Sequence, residues 1–234
     1  MKKRIWELDA FRGLCVLGMI MVHLIYDLVD LYQLIQWNYS KSFSFVMEWG
    51  GVLFLVLSGI CVTLGSRCIR RGLIILLCGM VCTLVTWGMY ALGFAGKDMV
   101  IWFGVLHCLG CCMLLWPLFR KLPHWALALG GLGLILLGFW IQDNIRVDFP
   151  WLIPLGFLYR GFASSDYFPL IMNLGFFLLG SALGKSLYKE KTTLLPRVDE
   201  NLPPICFLRW VGVWALPIYL LHQPVLALIL SVLG

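Results

Sequence analysis

Charged residues are scarce in this chain, and their scarcity limits the classes of protein it can belong to. Only 13% of the 234 residues are Asp, Glu, Lys or Arg, whereas 61% are hydrophobic and the mean hydropathy is +0.90. A soluble domain of this length carries far more charge, so a soluble globular protein is excluded. The composition predicts an all-α, polytopic integral membrane protein, built as a bundle of helices that cross a lipid bilayer.

Features of several other classes are missing as well. The net charge is +6, but the basic residues stand in short clusters between apolar runs, which indicates membrane topology and no nucleic-acid partner. The start MKKRIWELDAFRG contains Glu7 and Asp9 and is followed by no small-residue cleavage site, so we expect it to be retained rather than removed as a signal peptide. The sequence shows no internal repeat of the kind found in many transporters.

A disulfide framework and a metal site are also not expected. The nine cysteines lie within or beside apolar runs, where cysteine acts as a small packing residue. Cys108, Cys111 and Cys112 follow His107, but this spacing on one helix matches no common zinc pattern. We therefore predict no metal.

The apolar runs predict about seven transmembrane helices when each span needs roughly 20 residues. The expected ranges are 11–34, 45–66, 72–94, 100–119, a short fifth helix at 125–141, 168–188 and 206–233. The segment 149–167 is apolar but broken by prolines and glycines, so we expect it to be interfacial or re-entrant. The whole chain, 1–234, is expected to form one domain, and its 24 glycines favour close packing between helices.

The basic residues predict the orientation in the membrane. With the N-terminus in the cytoplasm, only Lys41, Lys97, Arg146 and Arg160 fall outside, and the other fourteen of the 18 basic residues, Lys2 and Lys3 among them, fall inside or at inner helix ends. This is the bias that the positive-inside rule describes. The C-terminus is then extracytoplasmic, and we expect a bacterial cytoplasmic (inner) membrane.

The first predicted helix carries ionisable side chains within its apolar run. At 100° per residue, His23, Asp27 and Asp30 lie within about 60° of Arg12 around an α-helix, so the four form one stripe. Ionisable groups at this depth are costly and normally face a bundle interior or a water-filled cavity. His23 and Asp27 stand at i and i+4 and can face each other, which favours a general base oriented by a carboxylate.

Polar groups of other predicted helices are expected at similar depth. Glu48 is expected to begin the second helix, Asp166 to precede the sixth, and His107 to lie about two turns inside the fourth, while His222 and Gln223 lie in the outer half of the last. Arginines gather on the cytoplasmic side, where they suit a phosphate-bearing donor. Taken singly, each residue also has an ordinary explanation: a buried histidine bonds to a neighbouring helix, an arginine anchors or orients a helix, and a carboxylate at a loop end is solvated.

Five motifs carry a resemblance to a known family. They are RIWELDAFRGLCVLGMIMVHLIYDL, LSGICVTLGSR, WFGVLHCLG, SSDYFPLIMNLGFFLLGSALGK and LRWVGVWALPIYLLHQPVL, and they stand in this order along nearly the whole chain. The set resembles the heparan-alpha-glucosaminide N-acetyltransferase catalytic-domain family of transmembrane acyltransferases, here as a small bacterial-type member. The resemblance implies transfer of an acetyl or other acyl group from cytoplasmic acetyl-CoA or another acyl-CoA to an extracytoplasmic sugar or glycan, at oxygen or nitrogen.

The resemblance and the polar pattern together give the expected site. His23 is the expected catalytic base, assisted by Asp27. The expected donor- and acceptor-binding residues are Asp9, Arg12, Arg67, Arg70, Glu48, His107, Asp166, His222 and Gln223.

Two alternatives remain open. In the first, the chain is a transporter or channel for a small polar or anionic solute, and the polar stripe is its path. In the second, it is a non-catalytic membrane subunit that keeps the fold for packing. The acceptor, the acyl chain length and homo-oligomerisation are also left open.

Overall fold

Eight α-helices make up most of residues 4–233, which are the residues that the computed structural model describes; Lys2 and Lys3 lie outside them. The helices are α1 (Trp6–Tyr26), α2 (Lys41–Leu64), α3 (Cys68–Ala91), α4 (Val105–Phe119), α5 (His124–Asn144), α6 (Leu170–Leu187), α7 (Pro203–Val213) and α8 (Ala215–Leu233). A π-helical segment, Asp27–Leu31, continues α1. The apolar segment 149–167 is irregular and contains one 3-10 turn, Ile153–Leu155.

Six of these segments are long and apolar enough to cross a bilayer. They are Trp6–Leu31, Lys41–Leu64, Cys68–Ala91, His124–Asn144, Leu170–Leu187 and Ala215–Val232, and α4 is a shorter apolar helix. Leu77 and Leu84, seven residues apart on α3, are each 64% exposed. An exposed apolar stripe of this kind suits lipid and not water. The prediction of an all-α, polytopic helical membrane bundle is confirmed.

The predicted seventh helix is wrong in one respect, because it consists of α7 and α8 with a break at Trp214. Pro217 has no backbone N–H and cannot bond to the carbonyl of Val213, four residues earlier, as a continuous helix would require. In α8 the same proline lies in the first turn, where backbone N–H groups have no intrahelical partner in any case.

Two other predicted helices differ in length from the expectation. Helix α4 begins at Val105 and not at residue 100, because the chain before it is extended and its carbonyls bond elsewhere. The Ser164 hydroxyl donates to the Val100 carbonyl (2.9 Å), and the Thr83 hydroxyl donates to the Ile101 carbonyl (2.7 Å). The fifth helix, expected to be short, has 21 residues.

The described chain packs as two compact units. The terminal unit comprises Met1–Phe54 and Glu190–Gly234, and the central unit comprises Leu55–Lys189, so the boundary falls within α2. The expected single domain over 1–234 stays a prediction, and each unit is described by itself below.

In the terminal unit, α1 packs backbone to backbone against α7. A Cβ atom added to Gly13 would lie 2.0 Å from the carbonyl oxygen of Leu208, and one added to Gly212 would lie 1.8 Å from that of Asp9. Only glycine permits so close an approach at these two positions. Residue numbers rise together along the contact, since Tyr32 at the far end donates its hydroxyl to the Ala227 carbonyl (3.3 Å). Helices α7 and α8 therefore run alongside α1 in the same direction.

The central unit has an apolar core to which α2, α4, α5 and α6 all contribute. Leu55, Cys108, Leu127 and Phe177 are almost completely buried there. Close helix approach again depends on glycine, because a Cβ atom added to Gly175 would lie 2.5 Å from the carbonyl oxygen of Gly131. This packing fixes the positions of the polar groups that the unit carries.

Candidate active site

The terminal unit brings four of the predicted site residues together, and we call them the His23 cluster: His23 and Asp27 at the end of α1, and His222 and Gln223 on α8. The Asp27 side chain is completely buried, with 0% exposed. Its two carboxylate oxygens each accept a hydrogen bond from Nε2 of Gln223, at 3.0 Å and 3.0 Å. Burial of a carboxylate is costly without such donors, so Gln223 stabilises Asp27 in this position.

Gln223 also determines which nitrogen of His23 carries the proton. Because the amide NH₂ of Gln223 faces the acceptor-only carboxylate, the amide oxygen faces His23. Oε1 of Gln223 lies 3.2 Å from Nδ1 of His23. An amide oxygen only accepts hydrogen bonds, so Nδ1 must be the protonated nitrogen that donates to it. The lone pair of His23 is therefore on Nε2, for which the structure shows no hydrogen bond to any of residues 4–233.

The expected direct pairing of His23 with Asp27 is thus replaced by a relay. The order of groups is imidazole, amide and carboxylate, joined by the hydrogen bonds of Gln223. Such a chain orients the ring and can stabilise its cation, as a directly bonded carboxylate would. Gln223, expected as a binding residue, has the geometry of a positioning residue.

His222 lies beside His23 and completes the cluster. The two rings meet edge to face, with centroids 4.8 Å apart. Nδ1 of His222 donates to the backbone carbonyl of Tyr219. Its Nε2 is buried and, within the described chain, has no hydrogen-bond partner. Both histidines therefore carry an unprotonated Nε2.

The π-helical segment explains why Asp27 and Asp30 behave differently. The Tyr32 N–H donates to the carbonyl of Asp27, five residues earlier (2.8 Å), which marks the wider turn. Asp30 is exposed and accepts a hydrogen bond from the Tyr39 hydroxyl. The α-helical spacing assumed for the polar stripe does not hold beyond Tyr26, and the placement of Asp30 on that stripe was wrong. Segments of this kind are frequent at functional sites.

Asp9 and Arg12 are held together at the start of α1. The buried Asp9 carboxylate forms ion pairs with Arg4 (2.8 Å to Nε) and with Arg12 (2.7 Å to Nη1). The same Nη1 of Arg12 donates to the Gly212 carbonyl (3.4 Å). These contacts join α1 to α7, and the part played by Arg4 was not predicted. The expected role of Asp9 and Arg12 in donor binding stays a prediction.

His107 lies in the central unit with both ring nitrogens engaged. It is the third residue of α4 and not two turns inside the helix, which corrects the expectation. Its Nδ1 accepts from the Gly104 N–H (3.2 Å), so the proton is on Nε2, which donates to the Thr83 hydroxyl oxygen (3.2 Å). The side chain is only 3% exposed. This geometry supports a structural role for His107, and its role as a pocket residue stays a prediction.

Asp166 caps α4 in the same unit. Its Oδ2 accepts a hydrogen bond from the Val105 N–H at 3.0 Å. A carboxyl at this place satisfies a backbone donor that the helix itself leaves unpaired. Burial raises the pKa of Asp166 to about 6, and the hydrogen bond from Val105 offsets part of that rise.

Arg67, Arg70 and Glu48 are exposed. Arg67 directly precedes α3 and Arg70 lies in its first turn. Beside them, the Arg71 side chain lines a small cleft together with Cys61, Val62, Gly65, Cys68 and Met113. Glu48 lies two turns inside α2, since that helix begins at Lys41 and not near Glu48. Their expected binding roles stay predictions.

In the part of the chain that the structure describes, no three His, Cys, Asp or Glu side chains form a group that could hold a metal ion.

The family model described as "Heparan-alpha-glucosaminide N-acetyltransferase, catalytic" matches residues 4–224. No curated protein and no solved structure was found to match the chain.

Proposed function

Because this chain belongs to the heparan-alpha-glucosaminide N-acetyltransferase catalytic family, we propose that it transfers an acyl group from acyl-CoA to a sugar or glycan acceptor, with His23 as the general base. The donor is acetyl-CoA or another acyl-CoA on the cytoplasmic side, and the acceptor is extracytoplasmic. The N-terminus lies in the cytoplasm and the C-terminus outside, in a bacterial inner membrane, as the distribution of Lys and Arg favours.

One observation supports this assignment above the others: the relay through Gln223 leaves Nε2 of His23 unprotonated. A general base needs a lone pair that is free to accept the proton of the nucleophile. It also needs its cation stabilised while the proton is held. The carboxylate of Asp27, buried behind Gln223, supplies a negative charge for that purpose.

The reaction follows from these positions. Nε2 of His23 removes the proton from an O–H or N–H group of the acceptor as its oxygen or nitrogen bonds to the acyl carbonyl carbon. The carbon–sulfur bond of the thioester then breaks, and the sulfur leaves as the thiolate of CoA. The imidazolium returns its proton to that sulfur, which gives the CoA thiol, the acylated acceptor and neutral His23.

The donor is bound through its phosphates. Arg67 directly before α3 and Arg70 in its first turn are exposed and form no salt bridge with any residue of the described chain. Guanidinium groups bind phosphate in a planar, bidentate way, so these two side chains suit a phosphate-bearing donor. Arg12 suits the task less well, because Asp9 and the Gly212 carbonyl already occupy part of its guanidinium.

The proposal is tested with purified protein in proteoliposomes, labelled acetyl-CoA and an amino sugar. Methyl glucosaminide is the first acceptor to try, since the description of the family names a glucosaminide. His23→Ala should lower the rate of transfer by ~10²–10⁴-fold, the usual contribution of a general base. His124→Ala is the matched control, because His124 is an exposed histidine at the start of α5.

The outcomes separate the candidate functions. Transfer that survives His23→Ala in a folded protein would contradict the role of His23. Solute flux without any acyl donor, together with no transfer of label by the unaltered protein, would favour a transporter instead. Absence of both transfer and acetyl-CoA binding would favour a non-catalytic subunit.

A further inference from the structure

The His23 cluster contains one buried polar atom that the proposed mechanism does not use. Nε2 of His222 is buried and has no hydrogen-bond partner among residues 4–233. A buried acceptor left in this state costs about 1–3 kcal/mol, and in a native structure it calls for an explanation. The question is which donor satisfies it.

The other ring nitrogen of His222 and the neighbouring His23 exclude a protonated Nε2. Nδ1 of His222 donates to the Tyr219 carbonyl, so the proton of the neutral ring is on Nδ1 and Nε2 can only accept. Protonation of Nε2 would place a cation 4.8 Å from the ring of His23, which itself becomes a cation during the proposed reaction. Like charges at that distance disfavour each other, so His222 stays neutral while His23 holds the proton.

Two neutral imidazoles in contact thus each present an acceptor. Nε2 of His23 has the role of taking the proton of the nucleophile, and Nε2 of His222 accepts a second hydrogen bond. A molecule that satisfies both must carry two donor groups close together. A simple alcohol or a primary alcohol at the head of a lipid has only one, whereas adjacent carbons of a sugar carry two.

We propose that His222 positions the acceptor by accepting a hydrogen bond from the hydroxyl or amine next to the attacking group, so that the site selects a vicinal diol or amino alcohol. This inference rests on the proposed acyl transfer to a sugar and specifies which part of the sugar the site contacts. His222 is then a residue that determines acceptor specificity, while His23 performs the proton transfer.

Two substitutions distinguish the role of Nδ1 of His222 from the role of Nε2. His222→Asn keeps an amide N–H near the place of Nδ1, so it can still donate to the Tyr219 carbonyl, but it removes the acceptor at Nε2. His222→Gln places an amide near the position of Nε2 and retains an acceptor there. The Asn variant should therefore lose acceptor specificity, and the Gln variant should retain part of it.

The experiment pairs these variants with two acceptors, methyl glucosaminide and its analogue that lacks the hydroxyl beside the amine. In the unaltered protein, loss of that hydroxyl should lower kcat/KM by ~10-fold or more, as expected when a buried acceptor loses its donor. In His222→Asn both acceptors should react at the same reduced kcat/KM, with the change in KM and not in kcat. An equal loss of kcat/KM in the unaltered protein and in the variant would overturn the inference, because water alone would then satisfy His222.

A second measurement does not depend on acyl transfer. With ¹⁵N-labelled histidine, binding of methyl glucosaminide without any donor should shift the Nε2 resonance of His222, assigned as the one missing in His222→Gln. If the sugar binds and shifts this resonance but no transfer occurs, the proposed function fails, and only the hydrogen bond from the sugar to His222 stands. If the sugar binds and the resonance does not move, the inference fails. If the sugar does not bind, the inference fails together with the proposed acceptor class.

Discussion

Replacing Gln223 should damage the candidate site more than neutralising Asp27 does. Met is close to Gln in size but can neither donate to the carboxylate nor accept from the imidazole. In Gln223→Met, Asp27 would lose the two hydrogen bonds of 3.0 Å while staying buried, at a cost of about 1–3 kcal/mol in the free energy of unfolding. His23 would lose the acceptor that keeps its proton on Nδ1.

The expected effect on activity follows from that loss. Without a fixed tautomer and a stabilised cation, the general base contributes little, so kcat should fall by ~10²–10⁴-fold. In Asp27→Asn, by contrast, the new amide oxygen still accepts from Gln223. The bond changes from charge-assisted to neutral, and the His23 cation loses the negative charge behind Gln223, a difference of about 1–2 kcal/mol in all, so kcat should fall by about 5- to 30-fold.

The assay measures transfer from labelled acetyl-CoA at saturating acceptor, alongside denaturant unfolding in detergent. Asp30→Asn is the matched control, because Asp30 belongs to the same π-helical segment but is exposed; its activity should be unchanged. The reasoning is refuted if Asp27→Asn is the more damaging change. That order would mean that His23 and Asp27 pair directly, as the sequence alone suggested.

Two further predictions concern stability. Gly13→Ala should lower the free energy of unfolding by about 1–3 kcal/mol, since the new Cβ atom would lie 2.0 Å from the Leu208 carbonyl oxygen. The control is Gly18→Ala on the same helix, which meets nothing within 4 Å and should be neutral or mildly stabilising. Equal melting temperatures of the two variants would contradict the close contact. Because the pKa of Asp166 rises from 3.8 to about 6 on folding, the folded state keeps its proton over a range where the unfolded chain loses it. The free energy of unfolding should therefore fall by up to about 3 kcal/mol, which corresponds to roughly two pKa units, as the pH rises from about 4 to about 6. Above that range it should stay constant with respect to this group. Denaturant unfolding of the unaltered protein and of Asp166→Asn across this range checks the sign, since the variant should lack that fall.

Properties set by local sequence were predictable. The spans follow from runs of apolar residues, and the stripe of Arg12, His23 and Asp27 follows from helical periodicity. All three side chains do meet α7 or α8: Arg12 through the Gly212 carbonyl, and His23 and Asp27 through Gln223. The burial cost of such groups leaves few other places for them in a membrane helix.

Properties set by pairing between distant segments were not predictable in the same way. Gln223 lies 196 residues from Asp27 and 200 from His23, so nothing near either residue in the sequence reveals the relay. The capping of α4 by Asp166 depends on a contact 61 residues apart, and it makes Asp166 a neighbour of α4 as well as of α6. The break before α8 is different, because Pro217 is visible in the sequence and a proline within a helix predicts such a break.

The contact between α1 and α7 affects the candidate site because it lies at a fixed distance from His23. Gly13 and Gly212 mark the point of closest approach between α1 and α7, and His23 and His222 stand ten residues further along each segment. Along α1, ten residues correspond to about 15 Å of helix, so the contact at the glycines, together with the break at Trp214, sets the register in which His23 meets α8. A residue inserted within α8 between Pro217 and His222 would turn Gln223 by about 100° relative to the start of that helix and separate it from His23 and Asp27. The close contact at Gly13 therefore acts on the proposed chemistry without touching any reacting atom.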